Sequence, residues 1–276
     1  MATIYKTVGC GNDFLIFDAT GEEFTLLWSH KFNELSRKEV AKRLCDRNFG
    51  IGADGLVFLE ATKNPEWDFQ WDFYNSDGSV AEMCGNATRC VAMLAKYLRL
   101  VDGNSMKFGT LAGTIQASVI DQDTVQVNMP RILKHAYQQE MTLENESIKF
   151  DFINTGVPHV VLKQDSICLS NESIEIYKKI RHHKNFLPSG TNVTLYSVVD
   201  KNHIRSASFE RGVEGITLAC GTGAVAAATS YSHLANSREP IRVSLPGGDL
   251  IIKPDISGPL MTGPAQVLAR IDWLGK

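Results

Sequence analysis

Met83-Cys84-Gly85-Asn86-Ala87-Thr88 and Ala219-Cys220-Gly221-Thr222-Gly223-Ala224 are two versions of one short pattern, placed nearly half of the 276-residue chain apart. In each, an extended approach reaches Cys-Gly, a small or polar residue follows, and helix-favouring residues come next. After the first, Cys90, Leu94 and Leu98 recur at helical spacing, with Gly103 placed to end the stretch. After the second, an alanine-rich run from Ala224 to about Ala235 has strong helix propensity. Further on, Ala112-Gly113-Thr114-Ile115 and Gly247-Gly248-Asp249-Leu250 follow their cysteines at almost equal distances, and each leads into a strand-like segment. The repeat is weak in letters and consistent in spacing. It predicts two topologically related α+β lobes, split between Pro130 and Asn154. The division adopted is 1–135, carrying Cys84, and 136–276, carrying Cys220, with the final strand able to return to the first lobe.

The remaining segments fit that class. Residues 56–60, 68–74, 115–120, 124–129, 149–153, 159–162, 193–199, 203–209, 241–245 and 250–253 read as strands. Several are rich in Val, Ile, Thr and aromatics, and Gly, Asn, Asp or Pro bound them. Ser36-Arg37-Lys38-Glu39 is a capping box, with Leu35 and Val40 placed as a hydrophobic staple. That helix runs through Leu44 and ends before Gly50, and another begins near Asn171 and carries Ile174 and Ile180.

Composition narrows the function. Hydrophobic residues make up 43% and charged residues 21%, and the net charge is −3 with both signs spread along the chain. No basic face is implied, so neither nucleic acid nor an acidic membrane surface is an expected partner. No apolar run approaches the ~20 residues of a membrane helix. Met1 to Asp13 has neither a cationic nor an apolar leader region, which points to a cytosolic protein. In a reducing compartment the six cysteines, Cys10, Cys45, Cys84, Cys90, Cys168 and Cys220, are not a disulfide framework. None forms a C-x-x-C pair, so a structural zinc site has little support.

Cys84 and Cys220 are the two with a chemical setting. A helix N-terminus presents unpaired N–H groups and about half a positive charge, which binds a carboxylate or phosphate and lowers a thiol pKa. Two such ends directed at one carboxylate would stabilise the enediolate-like charge formed when an amino-acid α-proton is removed. One sulfur on each face of Cα then allows removal from one side and return from the other, inverting configuration without an electron-sink cofactor. By context alone, a buried cysteine before a helix is more often packing than catalysis.

Gly11-Asn12-Asp13-Phe14, Gly50-Ile51-Gly52-Ala53-Asp54-Gly55, Tyr74-Asn75-Ser76-Asp77-Gly78-Ser79 and Glu82 through Cys90 form an ordered set of motifs. Pro158-His159, Gly190-Thr191-Asn192-Val193, Glu210-Arg211-Gly212 and Thr217 through Gly223 continue it, and Leu245-Pro246-Gly247-Gly248 and Met261-Thr262-Gly263 complete it. In order and spacing these resemble the diaminopimelate epimerase family over nearly the whole chain. The resemblance implies two pseudo-symmetric lobes, each a mostly antiparallel sheet wrapped around a central helix. It implies interconversion of LL- and meso-diaminopimelate without pyridoxal phosphate or metal, serving lysine and peptidoglycan precursor synthesis, in a cytoplasmic homodimer. The catalytic pair falls on Cys84 and Cys220. The reacting carboxylate falls to the backbone around Gly85-Asn86 and Gly221-Thr222. Asn75, Asn192, Glu210 and Arg211 read the distal head group, Asn12 lines the site, and His159 and Glu210 assist proton traffic at the thiols.

Each assignment has a plainer alternative: turn residues for Asn12 and Asn75, a solvated pair for Glu210-Arg211, a structural histidine for His159. Three positions depart from the family's pattern. Val157 stands where the best-known members have an Asn that binds the distal head group, Val8 replaces a His, and Gly55 follows Asp54 where some members have Gln. Gly50-x-Gly52-x-x-Gly55 spells a dinucleotide fingerprint in the wrong context, with a helix before it and a strand after. Two rival readings are a racemase of another amino acid, such as proline or histidine, and a non-catalytic amino-acid binder. Proline offers no distal charge to Asn75, Asn192, Glu210 and Arg211, and a binder needs no pair of thiols.

Overall fold

The structure, a computed structural model, describes residues 3–32 and 34–274; the first two residues of the Met1–Asp13 stretch lie outside them. By its internal contacts the described chain divides into two units, one of residues 3–127 with 263–274 and one of Asn128–Thr262. Residues 128–135 thus lie with the second unit, ahead of the 135/136 division.

The first unit opens with a hairpin of β1 (Thr3–Gly9) and β2 (Asn12–Ala19). Its two-residue loop, Cys10-Gly11, has positive φ at both positions, 52° and 81°, the type I′ geometry that matches the twist of paired strands. Then come α1 (Glu22–Lys31), α2 (Arg37–Cys45), β3 (Gly55–Glu60), β4 (Phe69–Asn75), α3 (Gly85–Tyr97), β5 (Ser105–Thr110), β6 (Gly113–Val119) and β7 (Thr124–Asn128). The β2–β3 and β4–β5 pairs are parallel and the other neighbours antiparallel. Both parallel pairs enclose helices, because strands running the same way need a crossover.

The second unit holds β8 (Lys134–Leu143), β9 (Glu146–Asn154), β10 (Pro158–Lys163), α4 (Asn171–Arg181), β11 (Asn192–Asp200), β12 (His203–Glu210) and β13 (Gly215–Ile216). It continues with α5 (Gly221–Ala235), β14 (Ile241–Leu245), β15 (Gly248–Lys253) and β16 (Leu260–Pro264). Finally β17 (Gln266–Asp272) pairs antiparallel with β1, from Thr3↔Asp272 to Val8↔Gln266. From β17 through β7, and again from β8 through β16 without the short β13, one series of pairings repeats. It runs antiparallel, antiparallel, parallel, antiparallel, parallel, antiparallel, antiparallel. In each series the second parallel pair encloses a cysteine-capped helix, α3 or α5. The architecture is α+β with mostly antiparallel pairing.

Those two helices are the centres of their units. α3 packs against β1, β2, β6 and β17, and α5 against β9 through β12, β14 and β15. Every residue from Gly85 to Ala95 is buried. The opposite face of each sheet carries the other helices. In the first unit Leu15, Phe17, Leu56 and Phe58 pack with Val40 and Leu44 of α2, and in the second Val160, Leu162, Val193, Leu195 and Phe209 pack with Tyr177 and Ile180 of α4. A sheet covered on both faces buries successive residues, which is why Phe14 through Phe17 is a continuous apolar run rather than an alternation.

The Ser36 capping box forms as expected: the hydroxyl accepts from the Glu39 N–H and the Glu39 carboxylate accepts from the Ser36 N–H. α3 ends at Tyr97 rather than running toward Gly103, because Arg99 takes a left-handed conformation (φ 58°). α5 begins at Gly221, ahead of Ala224, and stops where Asn236 turns left-handed. The sequence left β1, β2, α1, β5, β8, β13 and β16 unread, and of β17 it offered only a final strand able to return to the first lobe. α1 has no capping side chain at Gly21, and β8 is a polar, largely exposed strand with little alternation. In β5 the pattern breaks at Gly109, where a Cβ would lie 2.2 Å from the Trp67 ring.

Candidate functional site

Cys84 is the N-cap of α3, extended at φ −140° and ψ 124°, and is half-buried. Its carbonyl accepts from the Thr88 N–H at 2.8 Å and the Thr88 hydroxyl at 2.9 Å, which pins the first turn. Behind that turn runs a chain whose ends fix every amide orientation. Arg89 Nη2 donates to Asn86 Oδ1 (2.7 Å), Asn86 Nδ2 to Asn12 Oδ1 (2.6 Å), and Asn12 Nδ2 to Asp54 Oδ2 (2.9 Å). Arg89 is fully buried and also donates to the carbonyls of Gly85 and Pro264. Arg47 bridges Asp54 and Asp13 at 2.9 and 2.8 Å. Burial alone would raise the Asp13 carboxyl, but the bonds from Arg47 and Lys6 outweigh it and hold Asp13 below its ordinary value. Asn12 and Asn86 thus come together with Cys84's helix, Asn12 as the first residue of β2 rather than a turn residue.

Asn75 closes β4 and is exposed; its amide donates to the Ser79 hydroxyl at 3.0 Å. Gly55 faces it across the β3–β4 pair. A Cβ at Gly55 would lie 2.7 Å from the Phe73 ring and 2.8 Å from the Tyr74 carbonyl, so Gln has no room here. Val8 lies in β1 opposite Asp13 of β2.

In the second unit Cys220 is the N-cap of α5, and its sulfur accepts from the Gly223 N–H at 3.3 Å. Gly221 and Thr222 form the first turn, whose N–H groups lack partners within the helix. Thr222 Oγ1 lies 3.4 Å from the sulfur and 3.1 Å from His159 Nε2. The other ring nitrogen of His159 meets Thr194 Oγ1 at 2.8 Å, and Asn192 Nδ2 lies 3.4 Å from Nε2. Asn192 Oδ1 accepts from the Arg211 N–H at 2.7 Å, and the Arg211 guanidinium donates to the Ser189 carbonyl. Glu210 accepts from Thr217 and hydrogen-bonds Cys220. Gly156, at φ 106°, precedes Val157 in the turn before β10, and the Val157 carbonyl accepts from the Thr155 N–H.

Electrostatics separate these groups. Burial pushes His159 down to about 3, helped by Arg211, so the imidazole is neutral. Burial raises the Glu210 carboxyl against the opposing bonds from Thr217 and Cys220. A helix N-terminus alone would lower the Cys220 thiol. The structure reverses that expectation: burial and then the Glu210 charge push the thiol up, and the bonds from Thr222, Gly223 and Ser208 recover only part. Cys45 and Cys90 are also pushed up, to about 12, by burial. The described residues hold no group of three or more His, Cys, Asp or Glu side chains suited to a metal ion, and no described helix is long and apolar enough to cross a membrane.

Arg89, Asp54, Thr194, Ser208 and Thr217 carry these networks and had no role in the sequence reading. A readable signal existed for two of them. On β11 and β12, Asn192, Thr194, Ser206 and Ser208 alternate with Val193, Leu195, Ala207 and Phe209, yet all eight are buried. The register sets His159 beside Asn192 and Thr194 beside Ser208, so this polar row meets the start of α5.

Comparison with known proteins agrees with the motifs. The sequence profile of the family "Diaminopimelate epimerase" matches residues 4–133 and 152–268. A diaminopimelate epimerase of Aquifex aeolicus is 39% identical over 90% of this chain and 88% of its own length. One of Carboxydothermus hydrogenoformans is 34% identical over 97% and 98%. Among solved structures, a probable proline racemase from Agrobacterium radiobacter superposes with a TM-score of 0.69 over 99% of this chain and 93% of its own, at 14% identity. A phenazine biosynthesis protein of the PhzF family from Bacillus anthracis gives 0.68 over 99% of both chains at 12% identity. Those two likenesses show the fold; profile and sequence identity together place the chain in the diaminopimelate epimerase family of isomerases.

Proposed function

We propose that the protein converts LL-diaminopimelate to meso-diaminopimelate with Cys84 and Cys220 as a thiol pair, one acting as base and the other as acid. The observation that carries this is the repeat. In two units with one series of strand pairings, the equivalent central helix starts at a cysteine N-cap. The base removes the α-proton, the electron pair passes into the carboxylate as an enediolate, and the other thiol gives its proton to the opposite face of Cα. The first-turn N–H groups at Gly85-Asn86 and Gly221-Thr222 stabilise the charge where it develops. Cys220, held as a thiol by burial, enters as the acid. Glu210 serves that thiol, while Asn75, Asn192 and Arg211 recognise the distal amino-acid group, Arg211 by a bidentate grip on its carboxylate. Asn12 supports Asn86. The reaction belongs to lysine and peptidoglycan precursor synthesis, in a cytoplasmic homodimer, a state that sedimentation tests.

The test is chiral chromatography of LL-diaminopimelate incubated with the protein in deuterium oxide, beside proline and histidine. Expected are meso product and deuterium at Cα from diaminopimelate alone. Wild-type deuterium incorporation by either Cys84→Ala or Cys220→Ala would overturn the two-thiol scheme.

A further inference from the structure

Asp54 and Arg89 belong to two of the sequence motifs and have no part in the proposed reaction, yet they stand at the two ends of the amide chain behind Cys84. Arg89 is fully buried and donates from all three of its side-chain nitrogens, to the Pro264 carbonyl (3.1 Å), the Gly85 carbonyl (3.2 Å) and Asn86 Oδ1 (2.7 Å). Asp54 is held from several sides. Its N–H donates to the Asp13 carbonyl at 2.9 Å and its carbonyl accepts from the Ser76 N–H at 3.0 Å. One carboxylate oxygen, Oδ2, accepts from both Asn12 Nδ2 (2.9 Å) and the Asp13 N–H (3.2 Å). A guanidinium can only donate and a carboxylate can only accept, so the two amides between them have one allowed sense. Asn86 must turn Oδ1 to Arg89 and Nδ2 to Asn12, and Asn12 must turn Nδ2 to Asp54.

We infer that Arg89 and Asp54 are positioning residues for the carboxylate-binding start of α3, Arg89 by holding the peptide unit that carries the Asn86 N–H, and Asp54 by admitting a single sense of the Asn12–Asn86 chain. The Gly85 carbonyl and the Asn86 N–H lie in one planar peptide unit. A donor held on that carbonyl therefore sets the direction of the N–H. Because the donor is charged, it also draws electron density onto the carbonyl oxygen, which strengthens the N–H as a donor in its turn. When the α-proton leaves, the substrate carboxylate passes from one negative charge to two, spread over the enediolate oxygens. A strengthened and fixed donor gains most at that moment, so its effect falls on the chemical step rather than on binding. The Asp54 end keeps the arrangement from relaxing. Without an acceptor there, the Asn12 amide can turn over, and Asn86 then loses the oxygen that orients its own amide. Arg47 meets the other carboxylate oxygen of Asp54, Oδ1, at 2.9 Å, but it is largely exposed and also pairs with Asp13.

This inference rests on the two-thiol reading for its purpose, but its first test needs no substrate. In protein labelled with 15N-asparagine, exchange of the Asn86 side-chain amide hydrogens is read by NMR. Asp54→Leu removes the acceptor, and Asn86, one amide further along the chain, should exchange about tenfold faster. Asp54→Asn keeps an oxygen for Asn12 and the Asp13 N–H while turning its NH2 toward exposed Arg47, and should leave that exchange within about twofold of wild type. The second test follows kcat and KM for diaminopimelate. Asp54→Leu should lower kcat about fivefold, and Arg89→Lys, which keeps a cation but not the fork that spans Gly85 and Asn86, about tenfold, each with KM within about twofold. Arg89 holds both the peptide unit and one end of the chain, so the double variant should fall about tenfold and no further. Asp54→Asn should keep the wild-type kcat. Unchanged Asn86 exchange in Asp54→Leu overturns the inference. So does an Asp54→Asn variant that matches Asp54→Leu, because the Arg47 ion pair would then be the operative contact. A double variant reduced about fiftyfold, the product of two independent structural roles, overturns it as well. The Asp54 pair decides the matter even where Arg89→Lys does not fold. A wild-type protein that fails to epimerise diaminopimelate refutes the proposed reaction, and the Asn86 exchange still decides the chain.

Discussion

The starts of α3 and α5 occupy equivalent slots and are supported in opposite ways. Behind Cys84 the support is ionic at both ends, Arg89 at one and Asp54 at the other, with two oriented amides between. Behind Cys220 the support is a set of neutral hydroxyls around an uncharged imidazole. The residue pairs differ accordingly: Asn86 against Thr222, Ala87 against Gly223, Arg89 against Val225. The first cysteine is half-buried and the second 6% exposed. Repeated topology therefore did not preserve the polar chemistry. A half-buried thiol still has water to solvate its charge, whereas a buried one needs donors built around it.

The largest effect that bears on this comparison is removal of either sulfur. Cys84→Ala and Cys220→Ala should each lower the epimerisation rate by about 10²–10⁴-fold, the usual scale for losing an acid or base. A large loss in only one variant would break the equivalence. Next, Gly223→Ala should lower the rate about 10–100-fold with little loss of stability. The Ser208 hydroxyl can rotate off the new methyl group, but the methyl then crowds the Cys220 sulfur. The matching change in the first unit, Ala87→Gly, should cost about 1 kcal/mol of helix stability and leave the chemistry nearly intact. Arg89→Met should destabilise the first unit by about 2–3 kcal/mol, read in urea unfolding, because it strips donors from Asn86, the buried Gly85 carbonyl and the part-buried Pro264 carbonyl.

His159 provides a smaller test through pH. Its folded pKa, about 3, lies below the ordinary 6.5, so the unfolded chain takes up a proton first as pH falls. Its contribution to stability is complete above about pH 6.5 and declines toward pH 3, with a slope of up to about 1.4 kcal/mol per unit. His159→Gln should flatten the stability profile over that window by one proton, with no change above it. Smallest is Ser36→Ala, which should remove about 1 kcal/mol and lower Tm by about 2–4 °C, with the epimerisation rate unchanged.

Much of this was legible in the residues and the rest was not, for identifiable reasons. The Ser36-x-x-Glu39 box and the two Cys-Gly helix starts are local, so their spacing alone announced them. The resemblance supplied the family, which the comparisons then showed. Hidden were features that depend on distant chain. Phe14 through Phe17 reads as a strand only once helices are known to cover both faces of the sheet. The rise of the Cys220 thiol required knowing how deeply it is buried, which no helix-start motif reveals. The polar alternation that includes Thr194 and Ser208 is local, but their meeting beneath Gly223 depends on the register of β11 with β12.

The pairing of β1 with β17 gives the two units different histories during synthesis. The second unit is contiguous, so all of its contacts become available once Thr262 has left the ribosome. The first unit cannot complete its sheet at that stage, since the partner strand for Thr3 through Val8 is not made until residues 266–272 emerge. One exposed edge and one side of α3 wait through most of translation for their cover. The order of assembly therefore runs against the order of the sequence, with the half carrying Cys220 complete before the half carrying Cys84.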